Sequence, residues 1–203
     1  MFIFFFSSRR RHTSSSTVSW ARDLYKRQTN SLTTDKYNSI SEQLDPDNNV
    51  KILNPLSTDL SIMRQSLIFS GLETLAFNIN RQQSDLKLFE FGKTYHNFDD
   101  QNEEFNHLSI LTTGNKTEKR WNSKKTEVGY FYLKGLVTGI FDRLGIKKLK
   151  SLPLSNDIFS EGQQLSVGKY SLVEFGSLKT NALTHFGISQ NVFCANFNWD
   201  NLL

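Results

Sequence analysis

From Met63 to Gln82 apolar residues return every three or four positions, and from Leu86 onward they return every two. The first spacing gathers Leu67, Ile68, Gly71, Leu72, Leu75, Ala76 and Ile79 on one face of a helix. The second sends Leu86, Leu88 and Glu90 to one face of a strand and Lys87, Phe89 and Phe91 to the other. A one-faced helix followed directly by such a strand demands a layered, packed domain. Gly71 sits inside the helix at a cost of about 1 kcal/mol against Ala, which close approach of another helix would offset. Asp59, just ahead, favours the positive end of that helix.

The flanking segments extend the same pattern. Thr33 or Thr34 can cap a short helix to about Leu44, Asp45–Asn49 forms a turn around Pro46, and Val50–Leu53 is a strand that Asn54-Pro55 interrupts. The strand Leu86–Tyr95 ends near Gly92 and joins His107–Thr113 through the acidic loop Asp99–Glu104, as a long antiparallel hairpin. Trp121–Glu127 is a polar connection. Tyr130–Leu144 is a second amphipathic helix with Phe131, Leu133, Leu136, Val137, Ile140, Phe141 and Leu144 in its stripe, and Gly145 ends it. Alternating segments near Lys148–Leu152, Gln164–Val167 and Ser171–Leu178, a short helix at Thr180–His185 and a strand at Val192–Phe197 complete the chain. Strands and helices mix without regular βαβ alternation, so the fold class is α+β with a mainly antiparallel sheet.

The 203 residues suffice for one medium domain or two small ones, and 17 Phe argue for an aromatic core. A single cysteine, Cys194, excludes an intrachain disulfide and a cysteine-based zinc site, and fits a reducing, cytoplasmic setting. The net charge of +4 suggests an anionic partner until its distribution is read. Residues 1–28 carry six of the 24 basic residues and one of the 20 acids, leaving 18 basic and 19 acidic residues in 29–203 and a net charge of −1 there. In residues 1–28 the apolar run Phe2–Phe6 precedes Arg9–Arg11, the reverse of a secretory signal, and is too short to span a bilayer. An organelle transit peptide and a nucleic-acid arm are the other functional readings of that string. It also resembles a translated sequencing-adapter read-through, so 1–28 is set aside as non-native and the native chain is expected to be entered midway, in a domain spanning 29–203.

Little catalytic chemistry is visible. His96, His107 and His185 are scattered without metal-ligand spacing, and no nucleophile elbow, Walker loop or dinucleotide fingerprint occurs. Asp99, Asp100, Glu103 and Glu104 fit a divalent cation or, more simply, a solvated hairpin loop. Lys147, Lys148 and Lys150 fit a phosphate contact or a solvated element end, and Cys194 fits the core better than a nucleophile.

VKILNPLSTDLSIMRQSLIFSGLETLAFNINR (50–81) and LFEFGKTY (88–95) carry more information together. The turn Asn54–Ser57, the helix start Arg64–Leu67, the pair Gly71-Leu72, the helix end Asn78–Arg81 and the strand Leu88–Gly92 follow in that order. In that order and spacing they resemble the beta subunit of bacterial phenylalanine–tRNA ligase. GYFYLKG (129–135), VEFG (173–176) and VFCANFNWDNLL (192–203) are similar to later parts of the same domain. The resemblance implies a class II aminoacyl-tRNA synthetase-like antiparallel sheet flanked by helices. It implies a non-catalytic domain in an α2β2 heterotetramer whose alpha subunit holds the active site.

ATP and Mg2+ are implied for the whole ligase, with no cofactor, metal or catalytic residue in this domain. No membrane is implied, and tRNA would be met through RNA-binding, editing and anticodon-binding domains that have no counterpart in this sequence. The resemblance places a subunit interface on Asn54, Pro55, Arg64, Leu67, Ile68, Gly71, Leu72, Leu75, Ile79 and Arg81, with the long helix as the matching element; a helix covering its own sheet explains the same stripe. Arg64 and Arg81 fit interface ion pairs or ordinary helix-end charges equally well.

A working site of this class needs one arginine for the ATP α-phosphate and substrate carboxylate and another for the triphosphate, since guanidinium is always charged and offers a bidentate fork. At those places the chain has Lys93-Thr94-Tyr95-His96 and Asn196-Phe197-Asn198-Trp199. The leading expectation is an assembly role within the ligase. A stand-alone class II adenylate-forming enzyme and a tRNA-binding module are the alternatives.

Overall fold

The computed structural model describes residues 29–55, 57–99, 101–116 and 126–202. The segment 1–28, residues Leu56 and Asp100, most of the polar connection 121–127 and Leu203 lie outside the described residues. Two short strands, β1 (Leu32–Thr33) and β2 (Ile62–Met63), pair antiparallel near the start. Helix α1 (Leu67–Ile79) leads into β3 (Leu86–Phe98) and β4 (Gln101–Thr113), and then comes α2 (Tyr130–Leu144). β5 (Lys150–Leu154), β6 (Phe159–Val167), β7 (Tyr170–Leu178), α3 (Thr180–His185) and β8 (Val192–Asn198) follow. The main sheet has six strands in the order β3-β4-β8-β7-β6-β5, each neighbouring pair antiparallel. The α+β class and the long hairpin expected from the alternating pattern are present.

Several boundaries differ from expectation. The hairpin strands are longer than expected, β3 running past Gly92 to Phe98 and β4 beginning at Gln101, so that Glu103 and Glu104 are paired strand residues rather than loop. The long helix begins at Leu67 because Ile62–Met63 is held in strand pairing and Ser66 caps the helix, its side chain accepting the Ile68 N–H. Val50–Leu53 is not a strand: only Lys51 bridges, to Ile62. The helix expected from Thr33 or Thr34 to Leu44 shortens to a 3-10 turn at Asp35–Ser39, where Thr34 accepts the Lys36 N–H. Gly145 does end α2, at φ +73, the left-handed conformation that a side chain disfavours.

The sheet is covered on both faces. Under α1, Ile68, Leu72 and Leu75 meet Leu86 and Leu88 of β3, Leu111 of β4, and Val192 and Cys194 of β8. Tyr37 joins this cluster, stacked on Phe69 with ring centroids 5.4 Å apart. On the other face Leu133, Val137 and Phe141 of α2 pack on Val173, Phe175, Ala195 and Phe197. Gly71 is needed where Leu111 crosses, since a Cβ there would overlap the Leu111 side chain. The close partner is therefore a strand, not the second helix expected.

Gly162 and Gly176 stand opposite each other in β6 and β7 beside a register shift. A Cβ on Gly176 would overlap the Glu161 carbonyl oxygen and lie 2.6 Å from the Gly162 Cα, and backbone cannot step aside as a side chain can. Gly176→Ala is expected to cost about 1–3 kcal/mol. Gly135→Ala should be neutral or stabilising by up to about 1 kcal/mol, because that residue lies within α2 with open space where its Cβ would go. Urea midpoints of the two variants should move in opposite directions; equal losses would contradict the close approach at Gly176.

Candidate functional site

A single row of side chains crosses all six strands. Strand register aligns Glu90 with Ser109, Ser109 with Asn196, Asn196 with Glu174, Glu174 with Gln164 and Gln164 with Leu152. Five of the six are polar, on the sheet face that carries α1. The next row, Leu88, Leu111, Cys194, Gly176, Gly162 and Leu154, is apolar or glycine. Glu90 and Ser109 are buried, whereas Asn196, Glu174 and Gln164 are half-buried.

Arg64 controls one end of the row. Its guanidinium is 2% exposed and Nη1 donates to Glu90 Oε1 at 2.7 Å and to Thr29 Oγ1 at 2.6 Å, while Nε donates to the Lys93 carbonyl at 3.0 Å. Thr29 Oγ1 also hydrogen-bonds Glu90. Gly92 makes room for this group, since a Cβ there would sit 2.5 Å from Arg64 Nη2. Within this chain Arg64 is buried as an interior clamp between the chain ahead of α1 and β3, rather than a solvated helix-end charge.

The rest of the row offers acceptors. Asn196 Oδ1 is buried without a hydrogen-bond partner, and burial pushes the Glu174 carboxyl above its ordinary value. Gln164 Nε2 donates to Ser171 Oγ at 2.7 Å. Cys194 lies in the adjacent row, 4.0 Å from Ser109 Oγ, and burial pushes its thiol up to about 12, so it belongs to the core and forms no thiolate at neutral pH.

Where the class needs its first arginine, Lys93 pairs with Glu104 on the exposed arm of the hairpin. Thr94 is buried, and His96 stacks on Phe98 at 5.8 Å and meets Phe105 edge-on at 5.6 Å. Where it needs the second, Asn196 and Asn198 share the face of the row, while Phe197 turns into the opposite core. Arg81 lies over the Phe77 ring at 3.3 Å and Arg143 ends α2. Among the described residues, then, the only arginine at this row is the one already bound to Glu90. No three His, Cys, Asp or Glu of the described residues converge as metal ligands.

The expected interface residues separate into two sets. Leu67, Ile68, Gly71, Leu72 and Leu75 are buried against the chain's own sheet, and Ile79 packs on the same core, so this stripe does not face outward. The covering-helix alternative accounts for it. Asn54 and Pro55 are exposed, beside a Leu53 that is 98% exposed, and Arg81 is exposed at the end of α1.

Sequence reading missed the row itself, although its signals were there. Glu90 falls in phase with Leu86 and Leu88, and a carboxylate on a core face requires a cation.

His107 lies one row further along, with Nδ1 buried and unpartnered, and burial first and nearby His96 second hold its pKa below 6.5. The folded chain then binds this proton less readily than the unfolded chain. Stability from His107 is complete above pH 6.5 and falls as pH drops through the window below it. The urea midpoint of the chain should therefore drop more steeply between pH 7 and pH 5.5 than that of His107→Gln. Parallel curves would show that His107 is equally protonated in both states.

A family model described as the phenylalanyl tRNA synthetase beta chain CLM domain matches residues 7–199. The chain belongs to this family. Its similarity to the phenylalanine–tRNA ligase beta subunit of Bacteroides fragilis is 38% identity over 188 residues, covering 86% of the chain. Against that of Bacteroides thetaiotaomicron it is 36% over 187 residues, and against that of Fusobacterium nucleatum 34% over 161 residues. The chain spans 23% of the length of the two Bacteroides relatives and 20% of the Fusobacterium one. Among solved structures, pyrrolysyl-tRNA synthetase from Desulfitobacterium hafniense is similar with a TM-score of 0.61 at 16% identity, covering 90% of the chain and 64% of that protein. That likeness establishes the class II synthetase fold, so this beta chain domain is the antiparallel sheet flanked by helices that its motifs implied. No helix among the described residues is long and apolar enough to cross a membrane.

Proposed function

We propose that this domain is an assembly element of a phenylalanine–tRNA ligase, carrying the synthetase fold without its chemistry and docking on the alpha subunit of an α2β2 ligase. The observation that carries this is the fate of Arg64: the guanidinium at the polar row is 2% exposed and tied through Nη1 to Glu90, so although Nη2 keeps no partner the group is sealed from any phosphate or carboxylate arriving from solvent. Half-buried Glu174 adds a carboxyl to the same row, which repels a triphosphate whenever it is ionised. The residues present thus do not fit ATP and Mg2+, which belong with the catalytic subunit. A cytoplasmic setting goes with the ligase.

With the α1 stripe buried, the docking surface moves to the exposed loop of Leu53, Asn54 and Pro55. An aliphatic side chain that is 98% exposed gains most by entering a partner's pocket. Mixed with a bacterial phenylalanine–tRNA ligase alpha subunit, the chain should form a complex whose mass light scattering reads. Leu53→Asp should weaken that complex at least about tenfold while leaving the circular dichroism unchanged. A folded chain that forms no complex would remove the assembly role, ATP–pyrophosphate exchange by the chain alone would restore the enzyme alternative, and steeply salt-dependent tRNA binding would favour the RNA-binding one.

A further inference from the structure

A second site lies away from the polar row. Between the 3-10 turn at Asp35–Ser39, the start of β6 and α3 the surface opens into a cavity of about 390 Å³, in the size range of small-molecule sites. Asp157 and Lys179 both line it, with Asn181 and His185, and Ile40 and Ala182 give it apolar wall. The two opposite charges do not meet: no ion pair within 4 Å joins them, although the Lys179 N–H donates to the Ile158 carbonyl at 2.8 Å and so holds their backbones together. Asp157 is fixed from behind, because its Oδ2 accepts the Glu42 N–H at 2.6 Å and its other oxygen is left over. Lys179 has no carboxylate partner among the described residues.

We propose that this cavity binds a small zwitterion with an apolar body, an aliphatic α-amino acid, whose ammonium meets Asp157 and whose carboxylate meets Lys179. A ligand carrying both charges satisfies two groups that the fold holds in one cavity and leaves apart, and its aliphatic part covers Ile40 and Ala182. A plain amine or a plain acid leaves one of the two charges without a partner.

The full chain would be titrated calorimetrically with L-leucine, with 3-methylbutylamine, which lacks the carboxylate, and with 4-methylpentanoate, which lacks the ammonium. L-leucine should bind saturably and each analogue at least about tenfold more weakly. Lys179→Met should weaken L-leucine by a similar factor while leaving the amine unchanged, and Asp157→Asn, which keeps an oxygen for the Glu42 N–H, should spare the acid instead. Thermal midpoints of both variants check the fold. Absence of saturable L-leucine binding at millimolar concentration, or equal affinity for all three probes, overturns the proposal.

Discussion

Replacing Arg64 by methionine should lower the unfolding free energy by about 3–5 kcal/mol, because it leaves the Glu90 carboxylate buried without its cation. The loss reaches beyond the pair. Arg64 also holds Thr29 and the Lys93 carbonyl, so the chain ahead of α1 loosens from β3 at the same time. The double variant Arg64→Met/Glu90→Leu should recover most of the loss, since an apolar pair of similar volume removes two desolvated charges together. Urea denaturation of the chain, both single variants and the double variant closes a cycle whose coupling term measures the pair alone. A loss under about 1 kcal/mol for Arg64→Met would mean that Glu90 finds water or another donor, and the clamp would have no structural weight.

Phe175→Ala should cost a similar amount, about 3–5 kcal/mol, by opening a void between the sheet and α2. Phe175 is fully buried, stacks on Tyr130 at the start of α2 with centroids 5.7 Å apart, and lies in the cluster of Phe197, Leu133 and Val137. Phe131, its counterpart on the outer side of the same helix, is 83% exposed, and Phe131→Ala should stay within about 0.5 kcal/mol of the parent. Amide exchange along Tyr130–Leu144 should quicken in Phe175→Ala and not in Phe131→Ala. Equal losses for the two would mean that α2 is not held by its contact with the sheet.

The periodicities were enough to mark both long helices and the hairpin, because a helix and a strand that each bury one face repeat at different spacings. They could not say what a buried face meets. The stripe from Leu67 to Ile79 is equally good for a partner helix and for the strands Leu86–Phe98 and Gln101–Thr113, and only tertiary placement chose the strands. Short elements were lost for a related reason: Ile62–Met63 is too short for a periodic signal, and it is extended where Leu32–Thr33 and Lys51 pair beside it. The polar row was hidden by distance in sequence. Glu90, Ser109, Asn196, Glu174 and Gln164 come from five strands and become neighbours only through register, whereas the Arg64–Glu90 clamp left a trace in the phase of Glu90. The ordered motifs from Asn54 to Gly92 reached further than periodicity, since a family resemblance fixes what spacing leaves open, and the family match over residues 7–199 agrees with it.

The sheet order β3-β4-β8-β7-β6-β5 also sets a timetable for synthesis. As the chain leaves the ribosome, β3 can zip to β4 and β5–β6–β7 can meander together through local turns. The two half-sheets stay strangers until Val192–Asn198 emerges, because β8 pairs with β4 on one side and β7 on the other. Until then β4 and β7 each present a row of open backbone donors and acceptors, the template on which nascent chains join one another wrongly. β8 is thus a keystone set last, and the interval before it arrives is when the open edges of the two half-sheets are most exposed to wrong pairing.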